Sequence, residues 1–196
     1  MRFSGQRLVA GSGVAGCQHT TLAVGVWNIN GRAGTWSEAM RTEVGKWDVI
    51  ILTETHLTET QSQQQQPWML RTHEWFQQVR AAHRDGRQRR VGQAHGGVAV
   101  GVRRELMAAK MVQRLEVDRD DVVWLRIDGA TFGLEKPLLI TSAYIPPAGS
   151  VHHNMAEAGE EDGAFDMLTR EVLTLAAGGY VLVGGDLNAR IGDETE

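Results

Sequence analysis

Cysteine is almost missing from this chain: Cys17 is the one residue of its kind among 196. A single thiol cannot build an internal disulfide framework, and it excludes cysteine-rich zinc modules. Long apolar runs are missing too. None approaches the roughly 20 residues needed to span a bilayer. Residues 1–20 carry Arg2 and Arg7 but only scattered apolar positions, so the core of a secretory signal is lacking. Strong charge of one sign is also absent: the formal net charge of −4 excludes a chain that holds polyanions by bulk charge. The expectation is a soluble, intracellular domain with no membrane partner.

What is there is ordinary in bulk and uneven in detail. Hydrophobic residues at 42% and charged residues at 22% suit a folded globular protein rather than a disordered one. The length fits one domain with a sizeable core. Glycine is abundant, at 23 residues, which favours strands and turns over a helical bundle. Between Arg71 and Arg104, eight arginines stand against Glu74 and Asp85. From Glu157 to Glu196, ten acids stand against Arg170 and Arg190. Such asymmetry allows a phosphate-facing patch, though from charge alone a solvated arginine-rich loop is the better account.

Apolar, β-branched runs predict strands over Leu22 to Ile29, Val49 to Leu52, Gly97 to Val102, Val122 to Ile127, Leu138 to Ile145 and Tyr180 to Gly184. Two segments carry helical stripes: Trp36, Met40, Val44 and Trp47 within Thr35 to Trp47, and Phe165, Leu168, Val172 and Leu175 within Gly163 to Ala177. Most strands follow one another with no helix between them. That is α+β or two-sheet sandwich logic, not a regular βαβ repeat. Gln61 to Gln66 reads as an exposed polar loop, His83 to Gln93 as a mobile basic loop, and residues 1–20 as a flexible N-terminal segment.

Several motifs fail on their surroundings. Gly11 to Gly16 matches G-x-G-x-x-G, but a strand follows it where dinucleotide binding needs a helix. Asp186-x-Asn188-x-Arg190 begins like a calcium loop, yet Ile191 stands where Gly is required. The seven histidines, at 19, 56, 73, 83, 95, 152 and 153, show no zinc spacing. No G-x-S-x-G supports a serine nucleophile.

One constellation survives. Asn28 and Asn30 end the first predicted strand, Glu54 the second, Tyr144 the fifth, and Asp186 with Asn188 the last. Each alone reads as a turn or capping residue. Together, polar groups at strand ends can converge on one rim of a sheet. A carboxylate with amide oxygens suits a hard cation that keeps several waters. A second carboxylate can activate water, while Asn and Tyr can donate to phosphoryl oxygens.

The ordered blocks WNING (27–31), LTETHLT (52–58), HGGVAV (95–100), SAYIPP (142–147) and VGGDLNARIGD (183–193) resemble the endonuclease/exonuclease/phosphatase superfamily. The wording is most similar to the apurinic-type endonuclease domain of non-LTR retrotransposons. The resemblance implies a DNase I-like four-layer sandwich, two β-sheets flanked by helices, over residues 21–196. It implies hydrolysis of a phosphodiester with Mg²⁺ or Mn²⁺, DNA as partner, a nuclear location and a reverse transcriptase in the same polypeptide. On this resemblance Glu54, Asn28 and Asn30 serve the metal. Tyr144 contacts the scissile phosphate, Asp186 orients the attacking water, and Asn188 holds water and phosphate. Asn30 joins the substrate contacts, and the charge of the arginine-rich segment adds Arg87, Arg89 and Arg90 as phosphate contacts. A dead binding module and a phosphatase or phosphodiesterase for a phosphoinositide, nucleotide or sphingolipid are the alternatives. The family pattern continues past GDLN with a further acid and an Asp-His pair. The expectation is therefore an N-terminal portion, or a decayed gene product, that lacks the last strands of its second sheet and has weak or no activity alone.

Overall fold

The computed structural model describes residues 4–9, 21–31, 37–64, 66, 69–79, 96–147 and 163–188. Arg87, Arg89, Arg90, Cys17, Trp36, His152, His153 and the glycines 11 to 16 lie outside them. Among the described residues nine strands form two mixed sheets. The first sheet holds β1 (Ser4–Val9), β2 (Thr21–Asn28), β3 (Val49–Thr53), β5 (Val98–Arg103) and β4 (His73–Gln78), side by side in that order. The second holds β6 (Val112–Leu115), β7 (Val122–Ile127), β8 (Leu138–Tyr144) and β9 (Tyr180–Asp186). Among the described residues the α-helices are α1 (Glu38–Val44), α2 (Glu59–Ser62), α3 (Arg104–Ala108) and α4 (Ala164–Ala176).

Strand alternation sorts the core into three layers. Val24, Val49, Ile51, Val98 and Val100 of the first sheet meet Val123, Leu125, Ile127, Leu138 and Ile140 of the second. On the outer face of the first sheet, Trp27, Ile50 and Leu52 pack with Val44 of α1. On the outer face of the second, Trp124, Leu139 and Ala143 pack with Leu168 of α4. Helix, sheet, sheet and helix therefore stack as four layers, the sandwich expected from the sequence. Among the described residues no helix is long and apolar enough to cross a membrane.

Four local expectations need correction. Ser4–Val9, inside the segment read as flexible, is an edge strand paired antiparallel with β2 from Ser4↔Val26 to Val9↔Thr21. It covers backbone groups that would otherwise leave β2 unpaired on that side. The glutamine-rich tract is not all loop. Thr58 and Gln61 form a reciprocal capping box that starts α2, the hydroxyl accepting from Gln61 N and the Gln61 amide accepting from Thr58 N. Phe165 is not on the buried stripe of α4. It is 52% exposed, and Ala164, Leu168, Val172 and Leu175 face the sheet instead. The first helix is also shorter than its stripe suggested. It ends at Val44 before Gly45, and Trp47 folds back over Gly25, where a Cβ would come within 2.9 Å of the indole.

At the N-terminal end of β3, polar groups tie the first sheet to the turn after α1. Arg103 donates to Asp48 Oδ1 and to the carbonyls of Gly45 and Trp47. His73, only 1% exposed, places Nε2 at 2.9 Å from the same Trp47 carbonyl and Nδ1 at 2.9 Å from the Thr72 hydroxyl. Burial pushes the imidazole below its usual pKa, and Arg103 reinforces this against the opposing Trp47 carbonyl, Asp48 and Glu105. The unfolded chain then binds the proton more readily than the fold does. This contribution to stability is complete above about pH 6.5 and declines as pH falls toward the folded value. Thermal melts from pH 8 to pH 5 should show that decline, and His73→Gln should flatten it. An unchanged slope in the variant would assign the pH dependence elsewhere.

Candidate active site

β2 and β3 run parallel with Asn28 opposite Thr53, and β8 and β9 run parallel with Tyr144 opposite Asp186. The C-terminal ends of all four strands meet at one rim of the sandwich. The link is direct: Asn28 Nδ2, from the first sheet, donates to Asp186 Oδ2 of the second at 2.6 Å. One layer below, the Ser142 hydroxyl donates to the Leu52 carbonyl at 3.1 Å. At the rim the inward-facing positions turn from aliphatic to polar.

Each site residue is held by its backbone as much as by its side chain. Asn28 Oδ1 accepts from Asn30 N, an Asx turn that fixes the amide as it emerges from β2. Gly31 N donates to the Glu54 carbonyl at 2.7 Å, and His56 N donates to the Gly96 carbonyl at 3.0 Å. Asn188 N donates to Asp186 Oδ1, while Asn188 Nδ2 donates to the Ile145 carbonyl at 2.8 Å. Ile145 N in turn donates to the Asp186 carbonyl. Tyr144 is 8% exposed, and its backbone N donates to the Asp121 carbonyl. Asp121 is gripped by the buried Arg119, which also reaches Glu171 of α4. The tyrosine end of β8 is thus anchored from behind.

Among the described residues, five besides glycine have left-handed φ, and four of them are Asn30, Glu54, His56 and Asn188. For Glu and His this conformation costs on the order of 1 kcal/mol or more each, and such strain collects where a fold over-determines a functional loop. Here the concentration marks the rim independently of residue chemistry.

The structure brings Asn28, Glu54, Tyr144, Asp186 and Asn188 to this rim. Asn30 is exposed, and what it contributes is its backbone donation to Asn28. His56 was missed by the sequence reading, which looked for zinc spacing. Its Nε2 lies 3.7 Å from Glu54 Oε2, and a Cβ on Gly31 would strike its Nδ1 at 2.6 Å. The available signal was its place two residues after Glu54 in the same strand-end turn.

Among the described residues no group of three or more His, Cys, Asp or Glu side chains could cage a metal, and no Lys or Arg pairs with Glu54 or Asp186. Among the described residues the rim offers the carboxylates of Glu54 and Asp186 and the amide oxygen of Asn28, which still has a lone pair after accepting from Asn30. Such a sparse set of hard oxygens fits a cation that keeps most of its water, as Mg²⁺ does, and does not fit a caged transition metal.

A sequence profile described as the Endonuclease/Exonuclease/phosphatase family matches residues 25–194. No curated protein sequence matches the chain. Among solved structures it is similar to the catalytic domain of Xenopus laevis APE2, with 18% identity and a TM-score of 0.55 over 85% of this chain and 58% of that one. It is also similar to a D. rerio TDP2 humanised by 14 mutations, with 12% identity and a TM-score of 0.52 over 87% of this chain and 67% of that one. At these identities the likeness supports the fold.

Proposed function

The chain belongs to the endonuclease/exonuclease/phosphatase family, and from that premise we propose that the rim is the site of a divalent-metal-dependent phosphodiester hydrolase acting on DNA, of the retrotransposon endonuclease type. The observation that carries this reading is the Asn28–Asp186 hydrogen bond, which joins the metal-side strands to the water-side strands at one point. Glu54 and Asn28 would hold Mg²⁺ or Mn²⁺, which when bound neutralises charge on the phosphoryl oxygens. Asp186 orients a water and takes its proton as the water oxygen attacks phosphorus. Its Oδ2 receives Asn28 and its Oδ1 the Asn188 backbone, so the carboxylate enters the reaction already aimed. Tyr144 and Asn188 would contact the phosphoryl oxygens. A new P–O bond forms with water, and the leaving oxygen departs with the bridging bond electrons.

Purified chain incubated with supercoiled plasmid tests the reading. Nicking with Mg²⁺ or Mn²⁺ and none with EDTA supports it. A second reading is a module that binds nucleic acid without cutting it. A folded chain that binds DNA but neither nicks it nor binds Mn²⁺ would establish that alternative.

The arginine-rich stretch from Arg71 to Arg104 suits a polyanionic, nucleic-acid substrate. On this reading the arginines at 87, 89 and 90 contact phosphates. Binding should then weaken linearly in log–log form as salt rises. Replacing all three arginines by Ala should reduce the slope by about 0.9 for each contact removed. Fluorescence anisotropy across a salt series checks this, and an unaltered slope would remove these arginines from the interface.

A further inference from the structure

We propose that Ser142 is a positioning residue for the rim, setting the distance between the two sheets that carry the reactive groups; this rests on the reading of the rim as a hydrolytic site. Ser142 is wholly buried, and its hydroxyl crosses the inter-sheet core to the Leu52 carbonyl of β3, a partner 90 residues away in sequence. Its neighbours explain why the crossing matters. Ser142 stands in register with Gly184 of β9, and two residues further along the same strands Tyr144 stands in register with Asp186. Leu52 lies two residues before Glu54. The bond therefore connects the strand bearing Glu54 to the strand bearing Tyr144, one layer beneath both.

The surrounding packing points the same way. Gly184 lets the sheets come close: a Cβ there would lie 2.6 Å from Ile51 Cδ1 and 3.2 Å from Val26 Cγ2. The Ser142–Gly184 pair is thus a notch of small residues in the second sheet, with the first sheet seated in it. Beneath the notch, Ile140 and Leu182 stand in register and are part of the aliphatic inter-sheet core. Aliphatic contact resists compression but tolerates sliding, because dispersion has little directionality. A hydroxyl-to-carbonyl bond is directional, and a hydroxyl buried there without one would be costly. Ser142 fixes the sliding freedom that aliphatic side chains leave open. The Asn28–Asp186 bond above it can then form at 2.6 Å.

The test is a double-mutant cycle on the whole chain, read from thermal midpoints. Asn28→Ala, Asp186→Ala and the pair are compared with and without Ser142→Ala, and again with Ser142→Cys, whose thiol fills the space but donates weakly. With Ser142 present, the Asn28 and Asp186 losses should be clearly non-additive. Either Ser142 substitution should at least halve that non-additivity, beyond any general fall in the midpoint. Full non-additivity in both Ser142 variants would overturn the proposal and leave Ser142 as a crosslink that adds stability alone. If the pair is additive even with Ser142 intact, the rim pairing and this proposal fail, while metal-dependent nicking by the same chain decides the hydrolytic reading separately.

Discussion

Glu54→Gln is expected to lower the affinity of the chain for Mn²⁺ by at least about 100-fold and to remove metal-dependent nicking. Loss of an outer-shell partner already costs metal sites about 10–100-fold, so loss of a charged ligand sets its floor there. The substitution is nearly isosteric. The backbone role of this position, accepting from Gly31 N at φ +53°, does not depend on the side-chain charge. Thermal stability should therefore barely change while metal binding collapses. Mn²⁺ titration followed by electron paramagnetic resonance separates the two effects. Equal affinity in the two proteins would take Glu54 off the metal.

Gly185→Ala should act in the opposite manner, through the fold rather than the chemistry. Gly185 has φ +143°, and a Cβ built there would come within 1.9 Å of the Ala143 carbonyl oxygen on β8. The obstacle is backbone, so no side-chain rotation relieves it. The strained conformation alone is worth about 1–3 kcal/mol, and parting β8 from β9 adds to that. Against a total stability of about 5–15 kcal/mol, the loss is large. A fall in the thermal midpoint of about 10 °C, or failure to fold, is expected. A midpoint within about 2 °C of the unsubstituted protein would show that β9 meets β8 differently.

The contrast between these two positions shows why some of the molecule could be read from sequence and some could not. Glu54, Asn28, Tyr144 and Asp186 each follow an apolar, β-branched run, and the end of such a run is visible in composition. The core strands β3, β7 and β8 were visible for the same reason, being buried along almost their whole length. β4 and β6 were not. They lie at sheet edges, HEWFQQ and VQRL, where the solvent-facing side accepts polar residues and the apolar signal is diluted. Trp75 of β4 could have hinted at pairing only to a reader who knew that Gly101 lies opposite it. Ser142 was hidden by a different limit. Its meaning lies in a partner on the other sheet, and spacing along the chain does not encode that.

The Asn28–Asp186 bond spans 158 residues. Closing so long a loop costs only about 0.6 kcal/mol more for each doubling of its length, so thermodynamics does not forbid it. Kinetics is less forgiving, since contacts between distant residues form late. During synthesis, Asn28 and Glu54 leave the ribosome long before Asp186 exists to meet them. On the proposed reading, until β9 docks beside β8 a nascent chain carries the metal side of the rim without the water side, and chemistry there is gated by completion of the second sheet.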